Sequence, residues 1–299
     1  MSIQPGTVLR SRYRIVKLIG AGGYGEVYKA YDLNLKRSIA LKRNSQSLPE
    51  AQLQFEHEAR LLADLNHSNL PRVTDYFTEG TGEQYLVMDF VDGSDLATLV
   101  RDQGRLSEKD ALGYVFQVCD ALHYLHTQPR PIIHRDIKPG NIIITPQGRA
   151  VLVDFGIFKR LDTQGMTAHA AKAVSSGYSP PEQYGLGQTD ARSDIYALGA
   201  TFYHLLSGQL PEDSHEVFLN RERLTPLRSL NPAVSQGVAD VIARAMESRQ
   251  GDRPATVADF RSQLQMSQLL GSLPVPESVV VKPRGQQRLP VPDPLPPGR

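Results

Sequence analysis

The sequence predicts an α+β protein in two lobes, the first rich in strands and the second rich in helices. Three observations carry this reading. Up to about residue 90, short apolar and β-branched runs are punctuated by glycine and polar turns. Beyond Gly93 the apolar residues recur at helical spacing over long stretches. After Ser267 no hydrophobic period survives, and Pro274, Pro276, Pro283, Pro290, Pro292, Pro294, Pro296 and Pro297 crowd the chain. Residues 268–299 therefore read as a polyproline-like or disordered tail.

The elements follow in order. Arg14–Ile19 and Glu26–Tyr31 read as strands flanking a glycine cluster, and Ser38–Lys42 as a third strand. A helix should follow Pro49, with Phe55, Ala59, Leu62 and Leu65 near helical spacing. Gln84–Met88 reads as a buried strand. Ala111–His126, Ser193–Leu206, Val234–Glu247 and Val257–Gln265 read as helices.

Composition narrows the classes. The 299 residues carry 33 Lys+Arg against 32 Asp+Glu, a net charge of +1 that argues against a dedicated nucleic-acid binder. An apolar fraction of 40% with 22% charged residues excludes wholesale disorder. The single cysteine, Cys119, cannot form an internal disulfide and fits a reducing compartment. The first residues show no signal-peptide pattern, and the most apolar stretch, Ile195–Leu206, is too short to span a bilayer. The expectation is a cytoplasmic protein without a membrane segment in this chain.

The glycine cluster, Gly20-Ala21-Gly22-Gly23-Tyr24-Gly25-Glu26-Val27, has the form G-x-G-x-x-G-x-V. A dinucleotide-binding turn shares this pattern, but there the last glycine opens a helix and an acidic residue follows about 20 residues on. Here a strand follows and Asp32 arrives too early. The glycines belong to a hairpin turn, whose backbone N–H groups can approach phosphate oxygens without interference from Cβ atoms.

Lys42 closes an otherwise apolar strand, as an edge residue or as a cation held inside for an anion. Glu58 lies three residues after Phe55 and four before Leu62, on the apolar stripe of its helix. An inward carboxylate needs a partner, and Lys42 is the natural candidate.

Further on, His134-Arg135-Asp136-Ile137-Lys138-Pro139-Gly140-Asn141 precedes an apolar run, Ile142–Ile144. A Pro146-Gln147-Gly148 turn and a return run, Ala150–Val153, lead to Asp154-Phe155-Gly156. Two apolar runs about such a turn form a hairpin, which brings Asn141 and Asp154 together. An amide oxygen and a carboxylate are hard ligands suited to Mg²⁺. Asp136, just upstream, is free to accept a proton.

These residues together resemble the protein kinase family, specifically the eukaryotic-type (Hanks-type) serine/threonine kinases of bacteria. The string is His134-Arg135-Asp136 with Lys138 and Asn141, then Asp154-Phe155-Gly156, preceded in order by the glycine loop and Ala40-Leu41-Lys42. Ser179-Pro180-Pro181-Glu182 looks like the end of an activation segment, and Arg253 matches the arginine that pairs with its glutamate. Asp194 opens a long helix as the family's buried aspartate does. The resemblance covers about 10–267 and implies a bilobal kinase fold. The β-rich N-lobe with one main helix would span about 10–91, and the α-rich C-lobe about 92–267.

The resemblance implies roles. Ile19, Gly20, Ala21, Gly22, Gly23, Tyr24, Gly25 and Val27 should cover ATP. Lys42, oriented by Glu58, should hold its α/β-phosphates. Asn141 and Asp154 should bind Mg²⁺, or Mn²⁺ in its place. Asp136 should orient and deprotonate the attacking hydroxyl, and Lys138 should contact the γ-phosphate. Met88 looks like the gatekeeper, with Asp89, Phe90 and Val91 as the hinge; Val27, Ala40 and Ile143 should sandwich the purine. Leu62, Val73, His134 and Phe155 look like a stacked spine. Arg135 resembles kinases switched by activation-loop phosphorylation, with Thr167 as the leading acceptor and Thr163, Ser175 and Ser176 behind it. Protein substrates, ATP and dimerisation for trans-autophosphorylation are the implied partners.

One departure stands out. Where the family has Gly-Thr before the substrate platform, this chain has Val174-Ser175. Ser175 keeps a hydroxyl for Asp136 and Lys138. Two rival readings are a pseudokinase scaffold and a small-molecule kinase of the aminoglycoside or choline type; the latter lacks the Glu182 and Arg253 pair. His123 and His126 share a helical spacing but lack a third metal ligand. A soluble kinase and a fragment of a longer, membrane-anchored receptor kinase are both open readings of the chain.

Overall fold

The computed structural model describes residues 2–22, 25–44, 48–80, 82–154, 175–185, 188–220 and 224–271. Six strands form one antiparallel sheet: β1 (Val8–Leu9), β2 (Tyr13–Gly22), β3 (Gly25–Asp32), β4 (Arg37–Asn44), β5 (Val73–Glu79) and β6 (Glu83–Asp89). Their spatial order is β1-β2-β3-β4-β6-β5. β2 and β3 close the glycine hairpin, where Gly22 pairs with Gly25. Gly25 has φ +153°, and a Cβ there would lie 2.2 Å from the Arg43 carbonyl oxygen.

Side chains alternate across this sheet, and the alternation builds two different environments. Tyr13, Ile15, Tyr28, Ala30, Ile39, Leu41, Phe77, Tyr85 and Val87 turn to one face and form an aromatic-rich core. Phe77 stacks on Tyr13 and on Tyr85, with ring centroids 5.5 and 5.0 Å apart. The intervening residues of β4 and β6 turn the other way. Ala40 pairs with Met88, and Lys42 with Leu86.

Helix α1 (Pro49–Ala63) lies beside β5 and β6. Proline at its first turn is pre-set for helical φ and lacks only an N–H that would be unpaired there. Its apolar stripe buries Phe55, Ala59 and Leu62. A buried polar link also fastens it: Gln84 donates to the Gln52 carbonyl at 2.9 Å and to the Tyr76 hydroxyl at 2.8 Å, while Asn44 donates to Gln84 at 2.8 Å.

The chain crosses to the helical lobe through Phe90–Gly93. Gly93 has φ +149°, and a Cβ would lie 2.1 Å from the Ile144 carbonyl oxygen. Only glycine allows the linker this close approach. A small sheet follows, β7 (Ser94–Asp95), β8 (Ile142–Ile144) and β9 (Ala150–Leu152), in that order. The helices are α2 (Leu96–Gln103), α3 (Glu108–His126), α4 (Ala191–Ser207), α5 (Ser214–Asn220), α6 (Leu227–Leu230), α7 (Gln236–Ala245) and α8 (Val257–Gly271). Asp95, Ser107 and Ser235 cap α2, α3 and α7 through their side chains, and Asp190 opens α4 in a capping box. Helix α4 is buried nearly all round, at the centre of the lobe. One apolar core joins α2, α3, α4, α7 and α8 with α1 and Leu86.

The α+β bilobal class expected from the sequence is the observed one. β1 and β5 lie outside the strands expected from the sequence. β5 carries Thr74, Asp75, Thr78 and Glu79 between its apolar residues, which dilutes its pattern. α8 runs to Gly271, past the expected start of the tail at 268; Leu264 anchors the helix in the core, while Met266 and Leu269 on its last turns are exposed. Gly23, Tyr24, Phe155, Gly156, Thr163, Thr167, Val174 and residues 272–299 lie outside the described residues.

Candidate active site

Between the strands and the helical lobe lies a cavity of about 500 Å³. Its roof comes from the pocket-facing residues of β2, β3 and β4: Ile19, Gly20, Val27, Ala40 and Lys42. Met88, Asp89 and Val91 line it at the linker, and Ile143 forms its floor. Glu58, Asn141 and Asp154 line it as well. Ala21, Gly22 and Gly25 sit at the hairpin tip, away from the lining. The cavity also takes Lys17, Lys29, Pro71, Asp92, Asp95, Gly140 and Val153, which sequence reasoning missed. For Lys17 and Lys29 strand alternation was the signal: each lies two residues from a lining residue, Ile19 and Val27, and the two pair in the same hairpin.

The charges at the inner end are arranged asymmetrically. The Lys42 ammonium donates to Asp154 Oδ1 at 3.0 Å. Glu58 is 2% exposed, and neither of its carboxylate oxygens has a hydrogen-bond partner among the described residues. The expected Lys42–Glu58 bond is therefore replaced by Lys42–Asp154. Burial works against the Lys42 charge, but Asp154 and Glu58 outweigh it and raise its pKa. Burial pushes the Glu58 carboxyl up to about 7, with Lys42 opposing.

The loop 134–141 is held from below. Asp194, on α4, accepts the backbone N–H of His134 at 2.8 Å and of Arg135 at 2.9 Å. His126 Nε2 lies 2.8 Å from the same carboxylate. Burial opposes ionisation of Asp194, but the His126 hydrogen bond and charge, with His134 and the Arg135 N–H, hold it below the usual carboxylate range. Arg135 sits at φ +65°, a turn these bonds stabilise. His126 is a site-supporting residue that sequence reasoning missed: its partner lies 68 positions away. His123, its helical neighbour, is exposed.

Three polar side chains meet at Asp136. Lys138 donates to Asp136 Oδ2 at 3.0 Å and to Ser175 Oγ at 3.1 Å. Ser175 donates to Asp136 Oδ1 at 2.8 Å. Asn141 donates its amide to the Asp136 carbonyl at 2.7 Å and to Oδ2 at 2.8 Å. The Ser175 contacts are those expected from the sequence, although valine replaces the preceding glycine. The β8–β9 register, Ile142 opposite Leu152, places Asn141 and Asp154 on one cavity wall.

Farther out, Arg253 grips Glu182 with two parallel bonds of 2.7 and 3.0 Å, both groups buried. Ser193 adds a bond of 2.8 Å to Glu182, and Arg253 lies 4.9 Å over the Tyr196 ring. Arg135 Nε donates to Thr189 at 3.1 Å. No helix among the described residues is long and apolar enough to cross a membrane.

The family model described as Protein kinase domain matches residues 13–264. The probable serine/threonine-protein kinase PknB of Lactococcus lactis subsp. lactis is 32% identical over 274 residues, covering 89% of this chain and 43% of that protein. Serine/threonine-protein kinase PknA of Mycobacterium tuberculosis is 39% identical over 218 residues, covering 71% of this chain and 50% of its own. The chain thus spans half or less of the length of these relatives. The crystal structure of the Mycobacterium tuberculosis PknI kinase domain superposes with a TM-score of 0.69 at 26% identity, covering 89% of this chain and all of that one.

Proposed function

Because the chain belongs to the protein kinase family, we propose that it transfers the γ-phosphate of ATP to serine and threonine hydroxyls of proteins. The observation that carries this is the cluster of Asp136, Lys138, Ser175 and Asn141, beside a cavity of a size suited to a nucleotide. A carboxylate already accepting from a serine hydroxyl at 2.8 Å is placed to accept from a substrate hydroxyl in the same way. That oxygen then bonds the γ-phosphorus as the bridging bond to ADP breaks, and Asp136 takes the proton. Lys138 neutralises charge on the transferred group, and Lys42 holds the phosphates behind it.

Asn141 and Asp154 fit a divalent cation, Mg²⁺ in this reading. Asn141 spends its amide N–H groups on Asp136, which leaves its carbonyl oxygen as a hard ligand. Asp154 keeps a carboxylate that is 46% exposed to the cavity. When bound there, such an ion offsets phosphate charge.

The buried Glu182–Arg253 pair favours protein acceptors over the small-molecule alternative. Retention of every catalytic group disfavours the scaffold reading. Autophosphorylation, in trans through a dimer and with Thr167 as acceptor, completes the proposal, since Arg135 offers the charge a loop phosphate would take. Incubation with ATP and Mg²⁺ followed by phosphosite mapping tests it. Phosphoserine or phosphothreonine that vanishes in Asp136→Asn is the expected result. Absence of phosphate in the wild type, or phosphotyrosine alone, would overturn it.

A further inference from the structure

A cluster just beyond Ser175 has no part in the phosphoryl-transfer machinery described above. Asp213, in the loop between α4 and α5, accepts from two side chains as well as from backbone N–H groups. Ser176 Oγ donates to Oδ2 at 2.7 Å, Tyr184 donates its phenol to the same oxygen at 2.6 Å, and the His215 N–H donates to Oδ1 at 2.9 Å. Burial opposes the charge on Asp213, yet the Tyr184 and Ser176 bonds, with the His215 and Gly177 backbones, hold its carboxyl below the usual range. The Tyr184 ring stacks on His215 at 5.1 Å.

The same loop touches the segment twice more. Gly177, at φ +79°, leaves no room for a Cβ against the Pro211 carbonyl and Leu210, at 2.8 and 2.9 Å. Ser214 donates to the Ser179 carbonyl at 2.6 Å. Residues 175–179 are thus seated on 210–214. Asp213 is the charged group of that seat, and it binds both ends of the stretch from Ser176 to Tyr184. The residue beside its anchor, Ser175, is the one that touches Asp136 and Lys138.

We infer that Asp213 is a positioning residue for the protein acceptor: by holding Ser176 and Tyr184 it fixes the surface on which a substrate chain lies against Asp136. This rests on the kinase reading above. It concerns the acceptor side alone, because Asp213 lies outside the nucleotide cavity lining. A rigid seat matters here, since small misplacement of a reacting hydroxyl costs rate steeply.

The test compares wild type with Asp213→Ala, and with Ser176→Ala/Tyr184→Phe, which removes both side-chain donors and leaves the carboxylate in place. A protein or peptide acceptor phosphorylated by the wild type is titrated, ATP is titrated separately, and slow ATP hydrolysis without acceptor is measured on the same preparations. Both variants should lose about tenfold or more in kcat/KM for the acceptor, while the KM for ATP and the acceptor-free hydrolysis stay within about twofold. An unchanged acceptor kcat/KM, or a parallel fall in hydrolysis, would overturn the inference. If Asp213→Ala does not fold, the double variant decides alone. A wild type that phosphorylates no protein would instead overturn the kinase reading.

Discussion

The Lys42 ammonium lies 3.0 Å from Asp154, while the Glu58 carboxylate stays buried beside them with no hydrogen bond among the described residues. A cation and two carboxylates meet at the inner end of the cavity, and among the described residues Asp154 alone of the two carboxylates is bonded to the cation. Burial then favours the neutral form of the other.

The Glu58 carboxyl has a folded pKa of about 7 against an ordinary 4.5, so the native state binds more protons than the unfolded chain between these values. Its stabilising contribution is full below about pH 4.5 and is lost as pH rises through 7. Glu58→Gln, uncharged throughout, removes that dependence. Denaturant unfolding of the ligand-free protein at pH 5 and pH 8 should show wild type losing on the order of 2 kcal/mol relative to the variant. Parallel pH profiles for the two proteins would count against a neutral Glu58.

Asp136 is bonded to Lys138, Ser175 and Asn141, yet it is absent from the cavity lining. Asp136→Asn should therefore lower kcat by about 10²-fold or more with nucleotide affinity within a few-fold. Rapid-quench phosphotransfer and a fluorescent-nucleotide titration measure the two. A matching loss of nucleotide affinity would point to a wider collapse of the loop.

Arg253 has a fully buried side chain and binds Glu182 through Nη1 and Nη2. Arg253→Ala leaves a buried carboxylate without its counter-charge, which costs about 3–5 kcal/mol. In a domain of this size the thermal midpoint should fall by about 10 °C. Calorimetry reads this directly; a shift below about 2 °C would mean that water or Gln250 takes over the carboxylate.

Gly93→Ala would drive a methyl group into the Ile144 carbonyl, at 2.1 Å. The linker must then swing off β8, taking Val91 and Asp92 out of the cavity wall. Nucleotide affinity should fall about tenfold or more, whereas Gly113→Ala on α3, outside the cavity lining and with open space around its Cβ position, should change it less than twofold. Isothermal titration of both variants checks the contrast.

Much of this site was legible because its chemistry is written in short strings. Asn141 and Asp154 could be brought together from two apolar runs and a turn alone, and the β8–β9 register does so. Glu58 could be turned inward from its spacing to Phe55 and Leu62. What it meets there could not be read, because the choice of Asp154 over Glu58 as the Lys42 partner depends on how α1 sits relative to the β9 end. His126 and Asp213 were illegible for a related reason. Each is an ordinary polar residue until a distant segment supplies its partner: Asp194 for the first, Ser176 and Tyr184 for the second.

The two apolar cores divide the chain differently from the order of its residues. Lys42 rides on a strand whose Ile39 and Leu41 belong to the aromatic-rich core, whereas Glu58 rides on a helix whose Phe55, Ala59 and Leu62 are continuous with the core of the C-terminal helices. Cooperative opening follows such apolar continuity. In native-state hydrogen exchange the amides of α1 should thus be released together with α3 and α4, and those of β2–β4 as a separate group. Lys42 and Glu58, two charges lining one cavity, sit on units that can breathe independently, and Asp154 is where the strand unit meets the helical lobe.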